Sequence, residues 1–437
     1  MRRIPRLLIV ICIIALLTAG TIFAIRLAKG YRPSFITKKM EGTGLLAANS
    51  TPRGATVFIN DKLTTATDTT LNLPPKDYKI KIAKDGYIPW EKTLKLEPEL
   101  VTQTNTRLFP AVPNLTPLTF SGAINPIPSP DGQKIVFSVN NATTDAKNGL
   151  YILDLFDRPF ALNSDPRQIS RTSTKIDLVN ARLAWSPDSN QVLATINAGK
   201  TDELNVLLNT NSFNDISQVK DVSAQLPVIL KDWNDTLDKK DQELIKTLPV
   251  FMQTVATASA NFVFSPDAEK IMYVPDQTIT IPDNLIPQLP ASSTQKQTRQ
   301  LQPANIYIYD LLEDRNFWLT NAWQSSPTPT PNPKIKAVPP KIDPVAELTK
   351  RYSPIALSSI KWYPDSRHVI VINDSLPAQA GKIIITEYDA TNADTVYAGP
   401  FSANFAYPWP NGSRLIILTS LNGGSDLPPN LYSINLK

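Results

Sequence analysis

Leu183-Ala184-Trp185-Ser186-Pro187-Asp188-Ser189, with apolar Val192-Leu193-Ala194 close behind, is the clearest copy of a unit that recurs along this chain. Three more copies are Ser129-Pro130-Asp131-Gly132, Ser265-Pro266-Asp267-Ala268 and Tyr363-Pro364-Asp365-Ser366, and a degenerate fifth is Trp409-Pro410-Asn411-Gly412. Apolar triplets stand at the same distance beyond the other four turns: Ile135-Val136-Phe137, Ile271-Met272-Tyr273, Val369-Ile370-Val371 and Leu415-Ile416-Ile417. Pro presets φ for a turn, and Asp or Asn can bond the backbone two residues on. A small residue follows without steric conflict. Third strands follow downstream at Leu150-Tyr151-Ile152-Leu153, Leu204-Asn205-Val206-Leu207, Ile306-Tyr307-Ile308-Tyr309, Ile383-Ile384-Ile385 and Leu431-Tyr432-Ser433-Ile434. A repeated hairpin unit cannot bury its own face, so neighbouring copies must stack. The expectation is an all-β chain built around a β-propeller of short antiparallel strands.

These residues resemble a known family. The pattern apolar-x-Trp-Ser-Pro-Asp, with a later Asn305-Ile306-Tyr307-Ile308-Tyr309-Asp310, is similar to the WD40-like repeats of TolB-type propellers. The resemblance covers residues 113–437, with long insertions and Trp409 displaced by one place. It implies an extracytoplasmic fold that hosts many unrelated activities, and so speaks weakly to function. Without the insertions, about 240 residues remain, enough for about five blades of roughly 45 residues each. A sixth, eroded blade is the alternative. The last copy ends at its third strand, and residues 106–119 could supply the missing outer strand, leaving no open edge.

The N-terminus carries the other strong signal. Residues 7–25 are uncharged and stand behind Arg2, Arg3 and Arg6. As a helix they span about 28 Å at roughly 1.5 Å per residue, enough to cross a bilayer. A cleaved signal peptide has a shorter apolar region and a small-residue cleavage site. Residues 1–6 therefore read as a cytoplasmic N-terminus, 7–25 as a transmembrane signal anchor and 26–43 as a linker. Cys12 is not in a lipobox. The location expected is the cell membrane, single-pass, with the C-terminal domains extracytoplasmic. Flanking Arg26, Lys29, Arg32, Lys38 and Lys39 make the positive-inside bias two-sided, so the orientation follows from the fold family instead.

The net charge of +5 belongs to this end of the chain. Eight bases and no acids lie in residues 1–40, leaving 36 of the 44 bases against 39 acids. No clustered basic patch points to nucleic acid. With one Cys and one His, neither an intrachain disulfide nor a Cys/His zinc site can form. No nucleophile elbow, phosphate loop or EF-hand pattern is present, and no cofactor or metal is implied. His368, at the polar entry to a second strand, reads as solvated.

Residues 44–109 alternate apolar and polar through Thr56-Val57-Phe58-Ile59-Asn60 and Tyr78-Lys79-Ile80-Lys81-Ile82. They form a small sandwich-like β domain. Ser50-Thr51-Pro52-Arg53-Gly54-Ala55-Thr56-Val57 resembles the opening of a PEGA domain, and Lys84-Asp85-Gly86-Tyr87 its later Lys-x-Gly-Tyr turn. Arg53 stands where the motif has Glu, and the family's Gly-x-Thr-Pro segment is absent around residues 64–69. The resemblance implies a binding or spacer module without catalytic residues. Tyr87-Ile88-Pro89-Trp90 reads as core rather than as a sugar-stacking platform.

The propeller, 110–437, carries three insertions. Residues 226–248 have helical periodicity and read as a helix docked on the propeller's flank, the sharper alternative being a partner-facing helix with Trp233 as a candidate partner contact. Residues 276–303 read as an extended loop, and 324–354 as a Pro-rich flexible linker. The function expected is non-enzymatic binding or scaffolding in the bacterial cell envelope, with a protein or cell-wall polymer as partner. No closed small-molecule pocket is implied. The rival is an envelope enzyme with carboxylates such as Asp131, Asp188, Asp267 and Asp365 at the channel mouth. Their equivalence across repeats, with Pro130, Pro187, Pro266, Pro364, Pro410 and Asn411, argues for turns that serve the fold.

Overall fold

The computed structural model describes residues 6–28, 30–33, 40–140, 142–156, 165–173, 176–197, 203–259, 261–287, 293, 295–321, 343–352, 358–373, 381–402, 405–421 and 428–437. The chain is mostly β with four α-helices among those residues. It divides into two compact units, Met1–Phe109 with Gln288–Lys296, and Pro110–Pro287 with Gln297–Lys437.

The first unit opens with helix α1, Arg6–Ala28. Its segment Val10–Ala28 is long and apolar enough to cross a membrane, a property shared with signal sequences. The rest is β. One four-stranded sheet has the order Lys62–Ala66, Thr56–Ile59, Asp77–Ala83, Trp90–Lys95, and a three-stranded sheet centres on Gly44–Ala48. In Asp77–Ala83 every second residue is buried, so Tyr78, Ile80 and Ile82 share one face. They join Leu46, Val57, Trp90 and Leu108 in one core, with Tyr87 packed at its margin. Trp90 is a core residue, and Tyr87, partly buried, packs against that core.

Among the described residues the second unit contains five antiparallel sheets that each hold one copy of the repeated hairpin, beside a smaller two-stranded pair. The first sheet starts with Ile124–Pro128 and Lys134–Val139, the second with Arg182–Trp185 and Gln191–Asn197, the third with Phe262–Phe264 and Lys270–Tyr273. The fourth starts with Ile360–Trp362 and His368–Asn373, the fifth with Ala406–Pro408 and Arg414–Thr419. Among the described residues, four of these sheets have four strands and the second has three. The fifth is completed from the other end of the unit: Leu115–Pro117 pairs antiparallel with Asn430–Asn435, through Leu115↔Ile434, Thr116↔Ser433 and Pro117↔Tyr432.

Second strands are buried on both faces because a neighbouring sheet or a helix covers them. That is why they appear in sequence as continuous apolar triplets rather than alternations. Val136, Leu150 and Ile152 of the first sheet share a core with Trp185, Val192 and Ala194 of the second. Ile135, Phe137 and Leu153 meet Trp409, Ile416 and Leu431 of the fifth sheet. Met272, Ile306 and Ile308 of the third meet Trp362 and Val369 of the fourth.

The second and third sheets each bury their remaining face on helices. Helix α2, Leu226–Ile245, places Leu230 and Trp233 against Ala184 and Leu193 of the second sheet. Helix α3, Val250–Ala258, places Met252 and Val255 against Ile271 and Tyr309 of the third. Helix α4, Pro344–Tyr352, adds Val345 and Leu348 to the α2 cluster. Arg351 of α4 locks onto α2 through Asp238 at 2.6 Å and Asp241 at 2.9 Å.

Four expectations are corrected here. Trp233 is only 7% exposed and packs in the α2–α4 core, so it is not presented to a partner. Its large ring is what anchors α2 to the sheet. Part of the Pro-rich insertion is helix α4, where Val345 and Leu348 supply the apolar spacing, while residues 322–342 lie outside the described residues. The second insertion is not simply extended: Ile279–Thr280 pairs with Gln300–Leu301, and Ile281 and Leu301 are buried. His368 is not solvated. It is 4% exposed, with Nδ1 2.9 Å from Asp365 Oδ2 and its ring against Tyr363.

Candidate functional site at the meeting of the inner strands

The five turns share one construction. Asp131, Asp188, Asp267, Asp365 and Asn411 each accept, through Oδ1, the backbone N–H two residues on, at 2.8–3.1 Å. The next residue is left-handed in every copy: Gly132, Ser189, Ala268, Ser366 and Gly412 have φ between 58° and 71°. In three copies the Ser before Pro ties the hairpin shut. Ser129, Ser186 and Ser265 donate to the Asp at 2.5–2.6 Å and accept the N–H of Lys134, Gln191 and Lys270 at 2.9 Å. Hydrogen bonding from Ser186 holds the Asp188 carboxyl below its usual range. At Asp267 burial pushes upward, but bonds from Ser265 and Glu269 outweigh it and the net shift is down.

The left-handed residue also serves the joint to the neighbouring sheet. Asp131 N donates to Ser189 Oγ at 3.2 Å, and Asp267 N to Ser366 Oγ at 3.1 Å. Where Gly takes that place, a tyrosine comes down on it: Tyr363 Oη donates to Gly412 O, and Tyr407 Oη lies 3.0 Å from where a Gly132 Cβ would stand. Trp185 and Trp362, three residues before their Asp, donate Nε1 to Ile127 O and Val263 O of an adjacent inner strand. The repeated residues are consumed in joining sheets.

The inner strands converge on a cavity. One part, about 380 Å³, is lined by Ile127, Pro128, Trp185, Val263, Lys361, Trp362 and Tyr407, with Thr349 and Tyr352 of α4. An adjoining part, about 700 Å³, shares Pro130, Pro266, Tyr352, Trp362 and Tyr407 and adds Asp131, Lys240, Asp241 and Arg351. Of the repeated residues, Pro130, Pro187, Pro266, Pro364, Pro410 and Asp131 line this second part. Asp188, Asp267, Asp365 and Asn411 do not line it, so the structure does not gather the carboxylates into one cluster there.

One cavity residue escaped the sequence reading. Four residues before the turn Asp or Asn stand Ile127, Ala184, Val263, Lys361 and Tyr407, and only the fourth copy carries a charge. Lys361 Nζ donates to Ser358 O at 2.8 Å, and no ion pair joins it to a carboxylate among the described residues. Burial alone pushes its pKa down to about 8. Burial likewise raises Tyr352 and Tyr407 to about 12, Asp188 adding to the first and Asp131 to the second. Aligning the five repeats and asking which cavity-facing position breaks the pattern would have found Lys361.

The PEGA domain family matches residues 43–111, the segment built around the Tyr78–Trp90 core. Residues 43–111 are a PEGA domain. No curated protein matches the chain. Among solved structures, similar ones include TolB from Acinetobacter baumannii, at 12% identity, covering 83% of this chain and 61% of that one, with a TM-score of 0.21. A TolB of Agrobacterium tumefaciens aligns at 12% identity over 71% of this chain and 78% of that one, TM-score 0.21. An oligogalacturonate lyase from Vibrio parahaemolyticus aligns at 10% identity over 82% and 86%, TM-score 0.25. At such scores these superpositions carry no argument about activity.

Proposed function

We propose that this protein is a membrane-anchored, extracytoplasmic binding protein of the cell envelope, and that its five sheets are the blades of a propeller. Helices α2–α4 occupy the place between the second and third blades. The observation that carries the binding role is the cavity where the inner strands meet, walled by Trp185, Trp362, Tyr407 and proline rings. Concave, mostly apolar sites with few polar groups are the ordinary form of a ligand site. The PEGA domain and the apolar helix α1 support an anchor-and-spacer arrangement outside the cytoplasm. A non-enzymatic role is favoured because the turn carboxylates are engaged in their own hairpins.

In-cell photocrosslinking tests this. A benzophenone amino acid at Thr349, which lines the cavity, should give ligand adducts that the same group at exposed Val112 does not. Protease added to intact cells should digest the second unit. Equal labelling from both positions, or protection of the second unit until lysis, would count against the reading. Turnover of a substrate by pure protein, abolished by Asp131→Asn with the fold intact, would favour the enzyme instead.

A further inference from the structure

We propose that the central cavity binds a small ligand with one anionic head and an apolar or aromatic body, the head pairing with Lys361. This deepens the binding role proposed above and rests on it. The first support is position. Lys361 breaks the repeat at a place where Ile127, Val263 and Tyr407 also line the cavity, so a charge there is not needed to build a sheet. The turn Asp and Asn side chains repeat because every hairpin uses their Oδ1 as an acceptor. A lone departure from the repeat at a cavity wall has no such structural reason.

The second support is energetic. Lys361 lines the cavity with its ammonium desolvated, and Ser358 O is its one hydrogen-bond acceptor among the described residues. Desolvation disfavours the charged form, and an opposite charge within about 4–6 Å restores it. An anion entering the cavity therefore gains a partner that the empty site does not supply. The third is shape: a volume of about 380 Å³ lies within the range of small-molecule sites. The walls are indole, phenol and proline rings, which suit a flat apolar body.

Calorimetry on the full chain in nanodiscs, with empty nanodiscs subtracted, tests the pairing. The probes are 2-naphthoate and its uncharged isostere 2-naphthamide. At pH 7 the carboxylate should bind at least tenfold tighter than the amide. Its affinity should fall about tenfold between pH 7 and pH 9, as Lys361 loses its proton in the empty cavity. Other charged or titratable groups face the cavity: Tyr352, Tyr407, Asp131, Lys240, Asp241 and Arg351. Lys361→Met leaves all of them in place. In that variant the two probes should bind within about twofold of each other and the pH dependence should vanish, while Lys361→Arg keeps the preference for the anion without the fall at pH 9. Near-UV circular dichroism checks that both variants fold. Equal binding of the two probes, no binding of either, or a preference that survives in Lys361→Met would overturn the proposal. If Thr349 still crosslinks a ligand in any of those cases, the binding role stands and only the anionic head is wrong.

Discussion

Gly132 and Tyr407 show how single residues set the joints between sheets. At φ 71° a side chain at position 132 is strained by about 1–2 kcal/mol, and its Cβ would lie 3.0 Å from Tyr407 Oη. Gly132→Ala should therefore destabilise the second unit by about 2–3 kcal/mol, read from urea unfolding. In a Tyr407→Phe background only the backbone strain remains, so the penalty should shrink by roughly 1 kcal/mol. An unchanged penalty would mean that the hydroxyl is not the obstacle. Asp394 is the acid to watch by titration. Burial raises its pKa to about 6, with Glu387 adding to the rise and His368 opposing it. The folded state then holds a proton that the unfolded chain, near pKa 3.9, has released. Stability should thus fall as pH climbs from about 4 to 6, the reverse of the behaviour of Asp188 and Asp267, whose contributions disappear on acidification. Asp394→Asn should flatten that segment and stabilise the protein at pH 7 by on the order of 1–2 kcal/mol. A profile between pH 4 and 6 identical to the parent's would dismiss the assignment.

The elements divide by how their burial is arranged. Hairpin positions could be read because each turn carries its own chemistry within four residues and each second strand is apolar on both faces. The helices were harder. The spacing in 226–248 was plain, yet a helix dotted with Lys and Asp does not reveal whether its Trp faces sheet or solvent. Only the packing of Leu230, Trp233, Val345 and Leu348 on Ala184 and Leu193 decided that. Helix α4 hid behind a run of prolines, which ends before its apolar positions begin. Trp233→Ala should leave a cavity costing about 3–5 kcal/mol. Hydrogen exchange should then show α2 and α4 losing protection together, because Arg351 ties them through Asp238 and Asp241. Loss of protection in α2 alone would show that the two helices are not one cooperative unit.

At the scale of the whole molecule, the joining of Leu115–Pro117 to Asn430–Asn435 makes sequence-distant residues neighbours. Asn430 Oδ1 accepts from both Thr119 Oγ1 and Gly122 N at 2.9 Å. Asn430→Ala should cost about 1–3 kcal/mol by stranding Gly122 N, and removing residues 431–437 should abolish cooperative unfolding of the second unit. A truncated chain that still melts in one sharp transition would show that the pairing is dispensable. The residues alone determined the repeated hairpins, the apolar N-terminal helix and the PEGA segment, because turn chemistry and strand periodicity act over a few positions. They also allowed the outer strand to come from residues 106–119, where Leu115–Pro117 now pairs. Only the tertiary structure decided that Trp233 and His368 are buried, and that a cavity holds a lysine with no carboxylate paired to it among the described residues. Burial and cavity walls are properties of neighbours drawn from five sheets and two helices, and no local pattern in the chain encodes which of them will meet.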